Sequence, residues 1–155
     1  MLINVNGPLN GLHLNRKIDN WGETFTIEFD IFIEKIDGME TNVGLIVIDH
    51  EHEINHDSDP VVVLFENGHL GFEYNHGADK LSVLQTYEIE LKTNYHVEFK
   101  QFKTSNEKTK RTIKLNEKVL VDKEVEKVYA ITGTLMVGDF NENHDFGRLS
   151  NVKIF

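Results

Sequence analysis

The stretch PVVVLFENGHLGFEYN, from Pro60 to Asn75, decides the fold of this 155-residue chain. Five apolar residues from Val61 to Phe65 make one arm, and Asn67-Gly68 suits the positive φ angles of a tight hairpin turn. Apolar side chains then return at every second position from Leu70 to Tyr74. The stretch therefore predicts a β-hairpin whose first arm is buried on both faces, and we expect all its apolar residues to serve the core.

The segment TFTIEFDIFI, from Thr24 to Ile33, predicts a second long strand. Its apolar side chains alternate five times in a row from Phe25 to Ile33, a period that no helix gives. The polar segment TSNEKTKR, from Thr104 to Arg111, predicts a hairpin tip. Other strands are predicted at Leu2–Val5, Asn10–Leu14, Val43–Ile48, Leu81–Leu91, Tyr95–Phe102, Thr112–Leu115, Val119–Val121, Val128–Val137 and Leu149–Phe155. Roughly eleven strands without a helix predict a single all-β sandwich or barrel domain over residues 1–155.

The charge and composition restrict the partners. The net charge is −10, which disfavours nucleic acid and anionic membrane surfaces and suits a cation or a neutral ligand such as a sugar. The chain has no cysteine, which removes disulfides and thiol chemistry and favours a cytosolic location.

The N-terminal residues MLINVNGPLNGLHL do not have the pattern of a signal peptide. No apolar window approaches ~18 residues, so we expect no membrane insertion. A role outside the cell would require unconventional export, or a chain that is the mature or excised part of an extracellular protein.

Several segments, taken in order, resemble laminin-G-like domains. The matching pieces are Phe25–Ile33, the strand with GLIVID up to Asp49, the hairpin with Asn67-Gly68, Asn94–Phe99, Lys114–Val121, Leu135–Gly138 and Phe146–Ile154. The family's cysteines are absent and Tyr95 replaces a family tryptophan, which points to the wider concanavalin A-like class. The resemblance implies an antiparallel two-sheet jelly-roll β-sandwich, in a class that includes many lectins.

The loop DHEHEINHDSD, from Asp49 to Asp59, is the first candidate site. In laminin-G-like domains the acidic residue that precedes the next strand binds calcium, and the resemblance places Asp59 there. Carboxylate oxygens suit Ca²⁺, and Asp49, Asp57 and Asp59 converge if the loop folds back. An alternative is a transition-metal site made by His50, His52 and His56. The remaining alternative is a solvated polar loop.

The loop between Gly138 and Gly147 is the second candidate. Its amides and carboxylates suit hydrogen bonds to sugar hydroxyls, and Phe140 or Phe146 would supply a stacking aromatic ring. The predicted ligand-binding side chains are those of Asp139, Asn141, Asn143 and Asp145. The alternative is a plain surface hairpin loop.

Two further sets lie on predicted strands. Glu28, Asp30 and Glu34 resemble the carboxylate-bearing strand of some sandwich-fold glycosidases, which need two carboxyl groups about 5 Å apart for a retaining mechanism. A solvated sheet face with alternating charges is the favoured interpretation. His96, with Glu98 and Lys100, is predicted to face outward on a surface that takes the ligand in many sandwich lectins.

These observations favour a non-enzymatic, lectin-like module that binds a carbohydrate or glycoprotein through loops at one end of the sandwich, with Ca²⁺ as its expected cofactor. The first alternative is a protein-interaction or adhesion module that binds no sugar. The second is a glycoside hydrolase built on Glu28 and Asp30. Association of two or more copies through sheet edges or faces is also expected of such sandwiches.

Overall fold

The computed structural model describes residues 3–9, 14–19, 24–38, 43–50, 58–75, 82–105, 108–126, 133–138 and 146–155. At positions 14, 49–50, 58–61, 73–75, 82–85 and 125–126 it describes the backbone alone. The strands are β1 (Ile3–Asn4), β2 (Leu14–Ile18), β3 (Phe25–Ile33), β4 (Val43–His50), β5 (Ser58–Leu64), β6 (His69–Asn75), β7 (Ser82–Glu88), β8 (Asn94–Ser105), β9 (Lys108–Leu115), β10 (Lys118–Glu126), β11 (Gly133–Val137) and β12 (Gly147–Ile154).

Two antiparallel six-stranded sheets make up the described fold. Sheet A has the strand order β1-β12-β3-β8-β9-β10, and sheet B has the order β2-β11-β4-β5-β6-β7. Every pair of neighbouring strands is antiparallel. The predicted all-β jelly-roll sandwich is confirmed.

The core lies between the two sheets and follows the alternation seen in the sequence. The apolar residues of β3 at every second position from Phe25 to Ile33 are all 2% exposed or less. Phe25 stacks on Phe99 of the neighbouring strand β8, with ring centroids 5.9 Å apart. Sheet B contributes buried side chains that include Ile46, Val62 and Phe72. Removing this apolar surface from water is the main force that holds the sheets together.

The predicted central hairpin is confirmed as β5 and β6. Its turn includes Gly68, whose φ of 85° lies in the left-handed region that glycine adopts without a steric penalty. The side-chain oxygen of Asn67 accepts the backbone N–H of His69 at 3.0 Å, which closes the turn locally. Val62 and Leu64 are fully buried, whereas Val63 between them is half-buried on the outer side of the sheet.

The hairpin predicted at Thr104–Arg111 is present, but its tip is shorter than predicted. Strand β8 continues to Ser105 and β9 begins at Lys108. Thr109 and Arg111 point inward and are 1% and 2% exposed. The Nε–H of Arg111 donates to Oε1 of the buried Gln101 at 2.7 Å, and this hydrogen bond helps a cation to occupy an interior position. Composition alone therefore misassigned a segment in which polar residues are buried.

Four turns gather at one end of the sandwich, which we call the turn end: residues 34–38, 66–68, 89–93 and 116–117. The N–H of Lys92 donates to the carbonyl of Ile33 at 2.7 Å, which joins the turn before β8 to the end of β3. A Cβ on Gly68 would lie 3.4 Å from Cδ1 of Ile36, so the hairpin turn of sheet B lies against the segment that follows β3. The turn end therefore contains segments from both sheets.

No helix of the described residues has the length and apolar character needed to cross a membrane.

Candidate functional site

The loop between β11 and β12 leaves and returns at the turn end. Its four predicted sugar-binding residues, Asp139, Asn141, Asn143 and Asp145, lie outside the described residues. On one flank, the N–H of Gly138 donates to the carbonyl of Leu45 at 3.0 Å. On the other flank, Phe146 immediately precedes β12. The role of the four loop residues in binding stays a prediction.

Phe146 is not available for stacking on a ligand. Its side chain is 5% exposed and belongs to the core. Its carbonyl accepts the N–H of Glu34 at 2.6 Å and that of Lys35 at 3.1 Å. The prediction of Phe146 as a stacking ring is therefore wrong, because its side chain anchors the returning chain. Phe140, the other candidate ring, lies outside the described residues.

The acidic loop leaves sheet B at the opposite end from the loop before β12. In the pairing of β4 with β11, His50 lies opposite Gly133, and Ile46 lies opposite Val137. The chain beyond His50 therefore starts at the beginning of β11, and the loop before β12 starts at its end. A five-residue strand separates these points by about 13 Å. The described flanks of the two loops therefore lie at opposite ends of β11.

Part of the predicted calcium set is brought together by the backbone. Asp49 of β4 lies opposite Ser58 of β5, and Asp59 is the next residue along β5. Neighbouring strands are about 4.8 Å apart, so the two chain positions are adjacent. Asp57, and the predicted metal ligands His52 and His56, lie outside the described residues. Among the side chains that are described, no group of three or more His, Cys, Asp or Glu is placed to hold a metal ion.

His96 lies near the start of β8 on the outer face of sheet A, at the turn end. Its Nδ1 is 2.6 Å from Oδ1 of Asp30 on β3, directly opposite in the strand pairing. A carboxylate can only accept, so we assign the proton of the neutral ring to Nδ1. Nε2 is then an acceptor, and the His96 side chain is 47% exposed. The arrangement fixes the direction of the imidazole and leaves part of it open to solvent.

Asp30 is itself held from the other side by Asn151 of β12. The Nδ2 of Asn151 donates to Oδ2 of Asp30 at 2.7 Å, and its Oδ1 accepts the N–H of Gly7 at 2.7 Å. Asn151 has a φ of 51°, within a register shift of β12 against β3. Asparagine tolerates this left-handed conformation better than most residues. The bulge therefore turns the Asn151 side chain toward the carboxylate.

A second asparagine fixes the backbone of His96. Oδ1 of Asn116 accepts the N–H of His96 at 2.8 Å, and the N–H of Asn116 donates to the carbonyl of His96 at 2.9 Å. Asn116 and Glu117 both have positive φ angles, 48° and 67°, as a tight hairpin turn requires. Sequence reasoning found His96 but missed Asn116 and Asn151, because their partners are 20 and 121 residues away in the chain.

The carboxylates proposed for glycoside hydrolysis have structural partners. Asp30 is engaged by His96 and Asn151 as described. Glu28 lies opposite Glu98 on β8, and each of the two has a lysine opposite it on its other side, Lys153 for Glu28 and Lys114 for Glu98. Opposite charges in directly facing positions stabilise a sheet, and like charges destabilise it. Each glutamate of the row thus has one lysine beside it, as on a charged, solvated sheet face.

Comparison of the sequence with protein-family models and with curated proteins finds no match. Solved structures do match the fold. The chain superposes on a carbohydrate-binding module (CBM40) of the Ruminococcus gnavus IT-sialidase, bound to α2,3-sialyllactose, with a TM-score of 0.61, 12% identity and coverage of 99% of this chain and 91% of that one. The Caenorhabditis elegans galectin LEC-6 gives a TM-score of 0.53 and 11% identity, covering 97% of this chain and 95% of that one.

A third match is the receptor-binding domain of botulinum neurotoxin type G, with a TM-score of 0.60 and 11% identity. It covers 98% of this chain but only 38% of the toxin domain, so the chain spans less than half of that protein. At these identities the comparisons show the fold alone. They agree with the antiparallel two-sheet jelly-roll sandwich that the sequence predicted.

Proposed function

We propose that this domain is a non-enzymatic carbohydrate-binding module. The observation that carries the proposal is the extent of the fold match: the chain corresponds to almost the whole of a carbohydrate-binding module bound to sialyllactose and of a galectin. A fold hosts many functions, so the proposal also requires groups on this chain that suit a sugar. The more specific laminin-G-like assignment belongs to the proposal as well.

The chemistry of the turn end suits sugar hydroxyls. His96 presents an imidazole whose direction is fixed by Asp30, and a fixed hydrogen-bonding group loses little conformational freedom on binding. The predicted ligand residues Asp139, Asn141, Asn143 and Asp145 would add carboxylate and amide groups from the loop that enters β12 at the same end. These groups would form hydrogen bonds to sugar hydroxyls without catalysing a reaction.

The proposal excludes a hydrolytic role for Glu28 and Asp30. Retaining hydrolysis needs one carboxylate free to attack the sugar and a second that is protonated as an acid. Asp30 already accepts hydrogen bonds at both of its oxygens. Asp30 is therefore better suited to orienting His96 than to catalysis, and Glu28→Gln is expected to leave sugar binding unchanged.

Calcium is a proposed cofactor at the opposite end, held by Asp59 with Asp49 and Asp57. The backbone pairing of Asp49 with Ser58 brings the chain positions of Asp49 and Asp59 onto adjacent strands, and this proximity is the support that the described residues give. Added CaCl₂ is expected to raise the melting temperature by mass action, and Asp59→Asn is expected to abolish the shift. An equal shift in the variant, or none in the wild type, would remove calcium from the proposal without affecting the binding of sugar.

A protein-interaction module is the second candidate, favoured by the match to a toxin receptor-binding domain. The partner would be a protein or glycoprotein, or a second copy of the chain. This candidate predicts binding to a deglycosylated protein that free sugar does not compete away.

The test is an array of defined oligosaccharides, probed with the wild type with and without chelator. We expect binding to a subset of glycans and competition by the same free sugar. In His96→Asn the amide would keep the contact with Asp30 but provide no group at the position of Nε2. We expect this variant to fold normally and to bind more weakly. Unchanged binding by His96→Asn would remove His96 from the site, and an array without any binding would refute the function.

A further inference from the structure

Phe65, directly after β5, is an aromatic side chain outside the core. Buried Val62 and Leu64 face sheet A, and Val63 lies on the outer side, so alternation places Phe65 on the outer face with Val63. Phe65 is half-buried and belongs neither to the buried core nor to the partly buried apolar residues packed against it. An aromatic ring in this position lies on the outer face of sheet B, at the turn end.

The ring occupies space that only a glycine leaves free. A Cβ added to Gly71 of β6 would lie 2.2 Å from Cε2 of Phe65 and 3.1 Å from both Cδ2 and Cζ. The two flanking atoms lie 0.9 Å farther from the added Cβ than Cε2 does, which places this Cβ beyond the ring edge and not over a ring face. Gly71 therefore contacts the edge of the Phe65 ring and covers neither of its two faces.

Polar groups surround the ring on the neighbouring strands. In the pairing of β6 with β7, Thr86 lies opposite Gly71, and Glu88 lies opposite His69. Thr86 and Glu88 are exposed on the edge strand β7, and the half-buried His69 lies beside them on β6. A hydroxyl, a carboxylate and an imidazole thus lie on the two strands beside an aromatic ring. This combination of one apolar surface with a few hydrogen-bonding groups is what binding sites for small polar molecules use.

We propose that the aromatic ring of Phe65, whose edge lies against Gly71, is the surface on which one pyranose of a bound glycan stacks. We further propose that this pyranose carries no charge. The inference rests on the proposed carbohydrate-binding function, adds a binding surface on the outer face of sheet B, separate from His96 on sheet A, and adds the sugar class. The apolar C–H face of a pyranose packs on an aromatic ring, and its hydroxyls reach Thr86, His69 and Glu88. A carboxylate at Glu88 and a net charge of −10 disfavour an acidic sugar such as sialic acid.

An aromatic ring over a strand glycine also stabilises a sheet without any ligand. The experiment must therefore separate binding from stability. Phe65→Ala removes the ring, Phe65→Tyr keeps it, and Gly71→Ala displaces it. Phe102 is the matched control, since it is a half-buried phenylalanine on the outer face of sheet A, far along β8 from the turn end.

The probes are lactose, cellobiose and mannobiose as uncharged disaccharides, and 3′-sialyllactose as the charged comparison, each titrated calorimetrically. We expect the wild type to bind at least one uncharged disaccharide. Phe65→Ala and Gly71→Ala should weaken that binding about tenfold or more, which corresponds to about 1.4 kcal/mol. Phe65→Tyr and Phe102→Ala should bind as the wild type does, with melting temperatures measured for all variants.

The outcomes separate the location of the site from the function. Equal affinity in Phe65→Ala and the wild type would overturn the platform and leave the carbohydrate-binding function in place. Binding of 3′-sialyllactose with no binding of the three uncharged sugars would overturn the sugar class, and the proposal with it. Silence toward all four sugars and across the oligosaccharide array would refute the function itself.

Discussion

Replacing Gly71 by alanine directly tests how the Phe65 ring packs on the sheet. The new Cβ would lie 2.2 Å from Cε2 of Phe65, so the ring must move. Gly71 does not have a positive φ, so alanine fits its backbone without strain. Any destabilisation must therefore come from the ring that is displaced.

The magnitude depends on whether Phe65 is present. Overpacking costs about 1–3 kcal/mol in general, and a half-buried ring that can swing toward solvent should place Gly71→Ala at the low end, about 1 kcal/mol. In a Phe65→Ala background the obstacle is gone. There the same change should stabilise by about 0.5 kcal/mol, since alanine loses less conformational entropy on folding than glycine does. The predicted coupling energy is thus about 1.5 kcal/mol.

The assay is urea unfolding of the wild type, both single variants and the double variant. With a urea m-value of about 2 kcal/mol/M, the midpoint should fall by about 0.5 M in Gly71→Ala and rise by about 0.25 M when Gly71→Ala is added to Phe65→Ala. Additive effects of the two substitutions would refute the contact. A large destabilisation by Gly71→Ala in both backgrounds would show that the glycine is required for another reason.

Three other perturbations have expected outcomes. Gly68→Ala should destabilise by about 1–2 kcal/mol in urea unfolding because its φ of 85° is left-handed, and Gly68→Asn should cost less. Asp30→Asn should cost about 1–2 kcal/mol and change the ¹⁵N shifts of the His96 ring; unchanged shifts would contradict the hydrogen bond at Nδ1. The hydrogen bond from Lys108 lowers the pKa of Glu124, so this pair stabilises the fold above the ordinary carboxylate pKa and ceases to do so as the pH falls. Lys108→Met should raise the pKa of Glu124 in an NMR titration, and an unmoved pKa would contradict the pairing.

The sheet architecture was predictable because burial and strand period coincide in its central elements. From Phe25 to Ile33 an apolar side chain stands at every second position, and all five of these side chains are buried, whereas Phe32 on the other face is half-buried. Asn67-Gly68 marks a turn by its chemistry alone. Such local signals do not depend on where the rest of the chain lies.

Sequence patterns predict burial wrongly where a polar residue lies in the core or an apolar residue lies on the outer face. Arg111 is polar in composition but lies inside the sandwich beside Gln101, ten residues away in the chain. Phe65 ends a run of five apolar residues, and such a run does not reveal which residue faces outward. It was expected to serve the core, whereas the pairing of the hairpin places it over Gly71 on the outer face.

The candidate site was only partly predictable. His96 was identified from its position on an alternating strand, yet the groups that orient it come from β3, β12 and the turn after β9. Nor does the sequence show that the loops after His50 and after Gly138 leave sheet B at opposite ends, because this follows from the register of β11 against β4. The pairing of strands that are distant in the sequence therefore determines which residues form the candidate site.

The most direct test of carbohydrate binding is the oligosaccharide array probed with the wild-type chain, with competition by the free form of each bound sugar. We predict saturable binding to a subset of glycans with uncharged terminal hexoses, competed by the matching disaccharide. Binding to no glycan, in calcium and in chelator alike, would contradict the proposed function.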